Sequence, residues 1–121
     1  MLSQSTINKV ILLGKIVKEP KWHFESGEKE LCFTITTTER VRKNSEYVQH
    51  NEYHQIRLNA NIIQDTDFQI GQLVYVQGKI QTKQFVDDEK IRRYKTEIIA
   101  SGVEVINAPQ AEPYVNQERR F

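Results

Sequence analysis

The chain has 121 residues, of which 38% are apolar or aromatic, and its formal net charge is +1. This length suits one domain with a hydrophobic core of its own and is too short for two such domains. Because 17 lysines and arginines stand against 16 acidic residues, the net charge indicates no partner. A claim of nucleic-acid binding therefore depends on where the cations lie.

Cys32 is the single cysteine of the chain. It excludes an internal disulfide and a zinc site built on cysteines, and it suggests a reducing compartment. The first residues lack the charged and then apolar pattern of a signal peptide, and no apolar run approaches the length of a membrane span. We therefore expect a soluble, cytoplasmic protein with no membrane partner.

The first predicted strand lies within residues 8–20, whose sequence is NKVILLGKIVKEP. The apolar run is short, rich in β-branched residues and closed by Glu19 and Pro20, a pattern that predicts a strand rather than a helix. Gly14 lies inside the run, where a missing side chain is typical of a bulge or of a sharp bend at a barrel corner. We expect one long bent strand around which the other strands close.

Alternating residues continue the β pattern after this strand. Trp22 and Phe24 point to one face of an extended segment, and the residues between and before them point to the other. Residues 31–36 alternate between apolar and polar and predict a second strand. Residues 39–51 are basic and have no apolar periodicity, which predicts a mobile hairpin loop. Alternation resumes over residues 53–59, which predict a third strand with one apolar and one polar face.

The second half of the chain contains one possible helix and two more strands. Residues 61–67 are the only plausible helical stretch, too short to be stable unless it packs on the rest of the fold. Residues 73–85 and 91–106 predict the fourth and fifth strands, and Gly78 interrupts the fourth where a barrel strand must bend. Three strands, a short helix and two strands are the order of an all-β, five-stranded OB-fold barrel.

Five sequence blocks follow one another in this order: NKVILLGKIVKEP from position 8, FTITTTE from 33, EYHQIRL from 52, GQLVYVQGKIQTKQF from 71 and RRYKTEI from 92. Together they resemble the bacterial single-stranded DNA-binding protein family, and the ordered set is more specific than any block alone. The resemblance implies a nucleoid-associated homotetramer that binds and protects single-stranded DNA in replication, recombination and repair. It covers roughly residues 8–106, so we predict a DNA-binding domain at 1–106 and a short flexible tail at 107–121.

The resemblance also implies a groove that stacks bases on aromatic side chains and neutralises phosphates with lysine and arginine. Tyr53 and Phe85 stand where the family has such aromatics, and their neighbours in strand register are polar. Exposed aromatics interleaved with cations are what a sequence-tolerant binder needs. The cations of the 39–51 loop are candidates only because they lie beside this groove, since such residues are otherwise usually solvated. The predicted DNA-binding residues are Tyr53, Phe85, Trp22, Tyr47, Arg40, Arg42, Lys43, Arg57, Lys83, Arg93 and Lys9.

The chain departs from the family pattern at three places. Val41 and Asn59 stand where many relatives have a tryptophan and a phenylalanine, and Trp22 and Tyr47 are candidates to compensate for the lost stacking. The chain stops soon after the predicted barrel in Glu-Arg-Arg-Phe, where relatives commonly have a long linker and an acidic tip. Replication and repair proteins are therefore possible partners, but not through such a tip.

Three residues are predicted at a subunit interface: His54, Val10 and Leu12. His54 lies on the apolar face of its strand, and the first strand has an apolar edge that would be a liability unless another subunit paired with it. Cys32 alternates with core residues and is predicted to be a small buried hydrophobe. The histidines match no standard metal site, and the sequence contains no evident pair of nucleophile and base, so we expect no metal, no cofactor and no enzymatic activity.

Two alternatives remain open from the sequence. One is an OB-fold assembly subunit of a replication restart complex, similar to primosomal protein N, that acts mainly through protein contacts. The lost aromatics favour it slightly, whereas Tyr53, Phe85 and the basic residues favour direct DNA binding. The other is an RNA-binding OB module, which differs in contacts to the 2′-hydroxyl that a sequence does not show.

Overall fold

The computed structural model describes residues 5–25, 27–63 and 67–107. These residues form six strands and one short 3-10 helix at Ala60–Ile62, and no helix among them is long and apolar enough to cross a membrane. The strands are β1 (Val10–Ile16), β2 (Lys21–Glu25), β3 (Glu28–Lys43), β4 (Glu46–Asn59), β5 (Leu73–Val86) and β6 (Arg92–Asn107).

Five of the strands close into a barrel. Around the ring, β1 pairs with β5, β5 with β6, β6 with β4, β4 with β3, and β3 with β1. Every pairing is antiparallel except that of β4 with β6. This closed ring confirms the predicted all-β, five-stranded OB-fold barrel. β2 lies outside the ring and, among the described residues, pairs only with β3.

Alternating apolar residues of the five ring strands fill the barrel. In β3 they are Leu31, Phe33 and Ile35, and in β4 they are Ile56 and Leu58. The residues between them point outward, as the period of two requires. Ring strands β1, β5 and β6 complete the core with Ile16, Val74, Val76, Ile98 and Ala100.

Two glycines lie where strands approach one another too closely for a side chain. A Cβ atom at Gly14 would lie 2.5 Å from the carbonyl oxygen of Thr36, and one at Gly78 would overlap the carbonyl oxygen of Ile99. The β5–β6 register also shifts between Gln77 and Gly78. The predicted bend at the second glycine is therefore a β-bulge, and the first glycine permits the close crossing of β1 over β3.

The predicted mobile loop at residues 39–51 is wrong. β3 and β4 remain paired to Lys43 and Glu46, and a two-residue turn joins them with positive φ angles at Asn44 (52°) and Ser45 (71°). Positive φ at both central residues defines the type I′ hairpin turn, whose twist matches that of the flanking strands. The segment lacks apolar periodicity because both of its faces meet solvent, not because it lacks a strand.

The predicted helix at residues 61–67 is smaller than expected in the described part of the chain. Its first residues form the 3-10 turn Ala60–Ile62, capped by the Asn59 side chain, whose Oδ1 accepts a hydrogen bond from the Asn61 amide at 2.8 Å. Residues 64–66 lie outside the described residues. The predicted tail at 107–121 also lies outside them, apart from Asn107 at the end of β6.

The prediction that Cys32 is a buried hydrophobe is wrong, and Val10 and Leu12, predicted at a subunit interface, have partly buried side chains. Val10 and Leu12 pack against the core, whereas Ile11 and Leu13 point outward and are 55% and 54% exposed. Cys32 faces outward and is only partly buried, because it alternates with the core residues of β3 and therefore lies on the opposite face of that strand.

Candidate nucleic-acid interface

Two β-hairpin arms extend from one end of the barrel. The first consists of the distal halves of β3 and β4, and the second of those of β5 and β6, with a turn at residues 87–91. β4 and β6 are parallel where they pair, at Ile56–Leu58 and Ile98–Ala100. Each begins at the tip of its own arm, so both tips lie at the same end of the barrel.

The outer face of the β3–β4 arm carries aromatics and arginines. Tyr53 is 61% exposed and lies directly across from Thr36. Nearer the tip, the guanidinium carbons of Arg40 and Arg42 lie 4.9 Å and 5.9 Å from the ring centre of Tyr47. These distances are within the range of cation–π contacts. The two arginines and Tyr47 therefore form one cluster on the same face as Tyr53.

The outer face of the β5–β6 arm repeats this pattern. Phe85, 46% exposed, lies across from Arg93, and Lys83 lies across from Lys95. The Arg93 Nε donates to Asp87 Oδ2 at 2.8 Å, which holds the guanidinium at the 87–91 turn. We call the outer faces of the two arms the groove face. Its residues are Tyr47, Tyr53, Phe85, Arg40, Arg42, Lys83, Arg93 and Lys95.

Lys95 was not among the residues predicted to bind DNA. Its Nζ lies 3.4 Å from Glu97 Oε2, and Lys83 Nζ lies 3.8 Å from Glu97 Oε1. The sequence does contain a signal that could have identified Lys95. It lies two residues after Arg93 in the same strand, so both side chains point to the same face.

A buried ion-pair network supports the base of the arms. Arg57 donates from Nη2 and Nε to the two carboxylate oxygens of Glu97, at 2.7 Å and 3.2 Å, and from Nη1 to Glu30 at 2.7 Å. Burial alone would raise the pKa of Glu97, but the hydrogen bonds and charge of Arg57, with Lys95 and Lys83, outweigh it and lower that pKa. Hydrogen bonding to Glu97 likewise raises the pKa of Arg57 despite its burial. This geometry favours a structural role for Arg57 over the predicted phosphate contact.

A cleft of about 390 Å³ opens beside this network. Three lysines line it, namely Lys18 before β2, Lys21 in β2 and Lys95 in β6, together with His23 of β2 and the carboxylates of Glu19 and Glu97. Cys32 also lines the cleft, and burial raises the pKa of its thiol more than the nearby Arg57 lowers it. The thiol therefore stays protonated and unreactive at neutral pH.

The remaining predicted residues lie away from the groove face. Trp22 is on the opposite face of its sheet, because it lies across from the core residue Leu31. Lys43 alternates with Arg42 and so belongs to the reverse face of its arm. Lys9 is exposed just before β1. His54 lies on the core side of its strand, and its Nε2 is 2.9 Å from Thr37 Oγ1.

The groove face offers aromatic rings and cations but no centre for chemistry. Among the described residues, no group of three or more His, Cys, Asp and Glu side chains could hold a metal ion. Exposed rings interleaved with lysine and arginine are suited to stacking bases and neutralising phosphates. The arrangement is that of a binding surface.

The model of the single-strand binding protein family matches residues 7–106. The chain belongs to this family. That confirms the predicted resemblance, and because members of the family bind DNA without catalysing a reaction, it also confirms the expectation that the protein is not an enzyme. A curated relative, the single-stranded DNA-binding protein of Bacteroides thetaiotaomicron, is 28% identical over 84% of this chain and 67% of its own length. The chain spans 60% of the length of two relatives from Neisseria meningitidis.

Two solved structures show the same fold. The SSB protein of Plasmodium falciparum in complex with ssDNA is 26% identical, with a TM-score of 0.77, and the match covers 88% of this chain and all of that one. The dimeric N-terminal domain of PriB from Thermoanaerobacter tencongensis is 20% identical, with a TM-score of 0.59, over 84% of this chain and 98% of that one. At that identity the second similarity shows the fold alone.

Proposed function

We propose that this protein binds single-stranded DNA independently of sequence, through the groove face. The observation that carries the proposal is the exposure of Tyr53 and Phe85 on the outer faces of two neighbouring arms, each with cations on the same face. Base stacking on an aromatic ring tolerates any sequence, because every base has a π face. The proposed role of the protein is to protect single strands in replication, recombination and repair in the cytoplasm.

Binding involves two kinds of contact, base stacking and phosphate contact. Tyr53 and Phe85 stack bases, and Tyr47 adds a third ring near the tip of its arm. Lys83, Lys95 and the arginines contact phosphates and release bound counterions, so affinity falls as the salt concentration rises. Glu97 keeps both lysines close to the arm surface, while Arg57 balances its buried charge.

A homotetramer is part of the proposal. Ile11 and Leu13 present two exposed apolar side chains on β1. Among the described residues, the edge of Val10–Gly14 that faces away from β5 has no strand partner. An apolar strand with an open edge is suited to pairing with a second copy. The number four comes from the family resemblance.

The test is a titration of fluorescein-labelled oligo-dT followed by anisotropy at two salt concentrations. Tyr53→Ala and Phe85→Ala should each weaken binding, by roughly 1–3 kcal/mol per stacked base. Tyr94→Ala is the matched control, because Tyr94 is exposed on the same arm but lies across from Gln84, on the face opposite Phe85. Lys83→Gln should reduce the slope of log affinity against log salt by about 0.7.

The control decides how the result is interpreted. Equal losses in Tyr94→Ala and Phe85→Ala would contradict the assignment of the groove face. A folded protein that binds no oligo-dT would exclude the DNA role and favour an assembly subunit that acts through protein contacts. Stronger binding to oligo-U than to oligo-dT would favour an RNA-binding module.

A further inference from the structure

A second cluster of aromatic and cationic side chains lies on β2 and the start of β3. Trp22 is 49% exposed and Phe24 is 75% exposed. The Nζ atom of Lys29 lies 4.4 Å from the centre of the Trp22 ring and 6.0 Å from that of Phe24. We call these three residues the β2 patch. Exposed rings with cations beside them are also what each arm of the groove face carries.

The β2 patch is separate from the groove face. Trp22 lies across from Leu31 and Phe24 across from Lys29, so all four side chains are on one side of the β2–β3 pair. Lys21 and His23 alternate with the rings and line the cleft on the other side. A ligand that touches both surfaces must therefore pass around the edge of β2. Among the described residues no strand covers that edge.

The cleft connects the two surfaces. It is lined by Lys95, at the base of the β5–β6 arm, and by Lys18 and Lys21 beside and in β2, with the carboxylates of Glu19 and Glu97 among them. A single strand leaving the groove face through this cleft would have these three lysines available to its phosphates. It would then reach the edge of β2, with the Trp22 ring directly behind.

We propose that the β2 patch is a second binding platform for the same single strand, with bases stacked on Trp22 and Phe24 and a phosphate at Lys29. This inference rests on the proposed function. Charge complementarity favours DNA as the occupant, because the β2–β3 positions on this side carry one cation and no carboxylate. Stacking plus one cation is also the chemistry by which single strands are held without regard to sequence.

Oligonucleotide length distinguishes the two surfaces. An oligo-dT of about 6 nucleotides is near the lower limit for one OB fold and should occupy the groove face alone, whereas one of about 30 is long enough to reach the β2 patch. Trp22 is the only tryptophan of the chain. Its fluorescence should be quenched by the long oligonucleotide and little changed by the short one, while labelled-DNA anisotropy reports that both are bound.

Variants test the same point by affinity. Trp22→Ala should weaken binding of the long oligonucleotide about fivefold or more, the loss expected for one stacked base, and leave the short one unchanged. Lys29→Gln should weaken the long one as well and lower its salt dependence. Lys43→Gln is the matched control for charge, since Lys43 lies at the opposite end of β3 from Lys29 and on the reverse face of its arm. Tyr53→Ala should weaken both lengths.

Each other outcome has a distinct meaning. If Trp22→Ala and Lys29→Gln bind the long oligonucleotide like wild type while Tyr53→Ala does not, the second platform is excluded and the groove face stands. If Trp22→Ala weakens both lengths equally, or the short oligonucleotide quenches Trp22 fully, the patch is not a separate platform. If the wild-type protein binds neither length, the proposed function itself fails. The fluorescence experiment uses the wild-type protein, so it still tests the proposal if one of the variants does not fold.

Discussion

At the scale of single residues, the Arg57–Glu97 pair links the groove face to the stability of the barrel. Glu97 is 3% exposed and shares both of its oxygens with the Arg57 guanidinium. Arg57→Met would leave this buried carboxylate without its bidentate partner, and removing one member of a buried pair is strongly destabilising. We expect the free energy of unfolding at pH 7, measured by urea denaturation, to fall by about 3 kcal/mol.

The pH dependence of this loss identifies its cause. The pKa of Glu97 is lowered in the folded protein, by Arg57 and the lysines against the opposing effect of burial. The pair therefore contributes stability above the unfolded pKa, and this is lost as the pH falls through the folded value. The difference between wild type and Arg57→Met should accordingly be fully present at pH 7 and shrink as the pH falls below the unfolded value of 4.5 toward the lowered folded pKa.

A surface pair is the control for this experiment. Arg93 and Asp87 form an ion pair of similar length, but the Arg93 side chain is half exposed. Arg93→Met should leave the unfolding midpoint nearly unchanged, because solvent screens exposed pairs. A loss as large as that of Arg57→Met, or a loss in Arg57→Met that does not vary with pH, would contradict a buried pair as the source of stability.

The sequence predicts most of the groove face and misses what depends on distant partners. Tyr53, Phe85 and Lys83 are found on it because strand alternation assigns a side chain to a face from local sequence alone. Arg57 has the same alternation, yet its charge is held by Glu97, 40 residues away. The parallel β4–β6 pairing that brings them together leaves no signal in either strand by itself.

At the scale of elements, the β3–β4 arm shows why a strand can escape sequence analysis. Barrel strands are visible because one of their faces is buried, which forces apolar residues into every second position. Thr38–Lys43 and Glu46–Asn51 pair in the same way, but all of these residues are exposed. Hydropathy therefore does not alternate with a period of two residues in these two segments. The remaining local signal is the Asn44–Ser45 pair at the turn, and it is weak because serine is unusual at positive φ.

That turn supports a prediction. Ser45 has a φ of 71°, a conformation that is costly for residues with a Cβ atom and free of cost for glycine. Ser45→Gly should therefore stabilise the closed arm and slow amide hydrogen exchange across Thr38–Asn51 severalfold. Ser45→Ala removes the same hydroxyl without relieving the backbone and should not slow exchange. Wild-type amides that exchange at the rate of an unstructured chain would contradict a paired arm.

At the scale of the whole molecule, the proposed assembly depends on β1. Its outward side chains Ile11 and Leu13 lie next to Tyr75 and Gln77 of β5, so they extend an exposed surface that is partly apolar. Burying such a surface against a second copy is favourable. It would also place several groove faces on one DNA strand, which raises apparent affinity through effective concentration.

Leu13→Glu tests this arrangement by placing a charge in the middle of the proposed contact. The particle mass measured by light scattering should fall, and Ile62→Glu, which adds the same charge to an exposed residue of the 3-10 helix, should leave the mass unchanged. Affinity for a long oligo-dT should fall as avidity is lost, whereas affinity for a short one should persist because each barrel carries both arms. If Leu13→Glu retains the wild-type mass, β1 is not the contact. If the short oligonucleotide also loses affinity, the groove face is incomplete in one copy and must be completed by another.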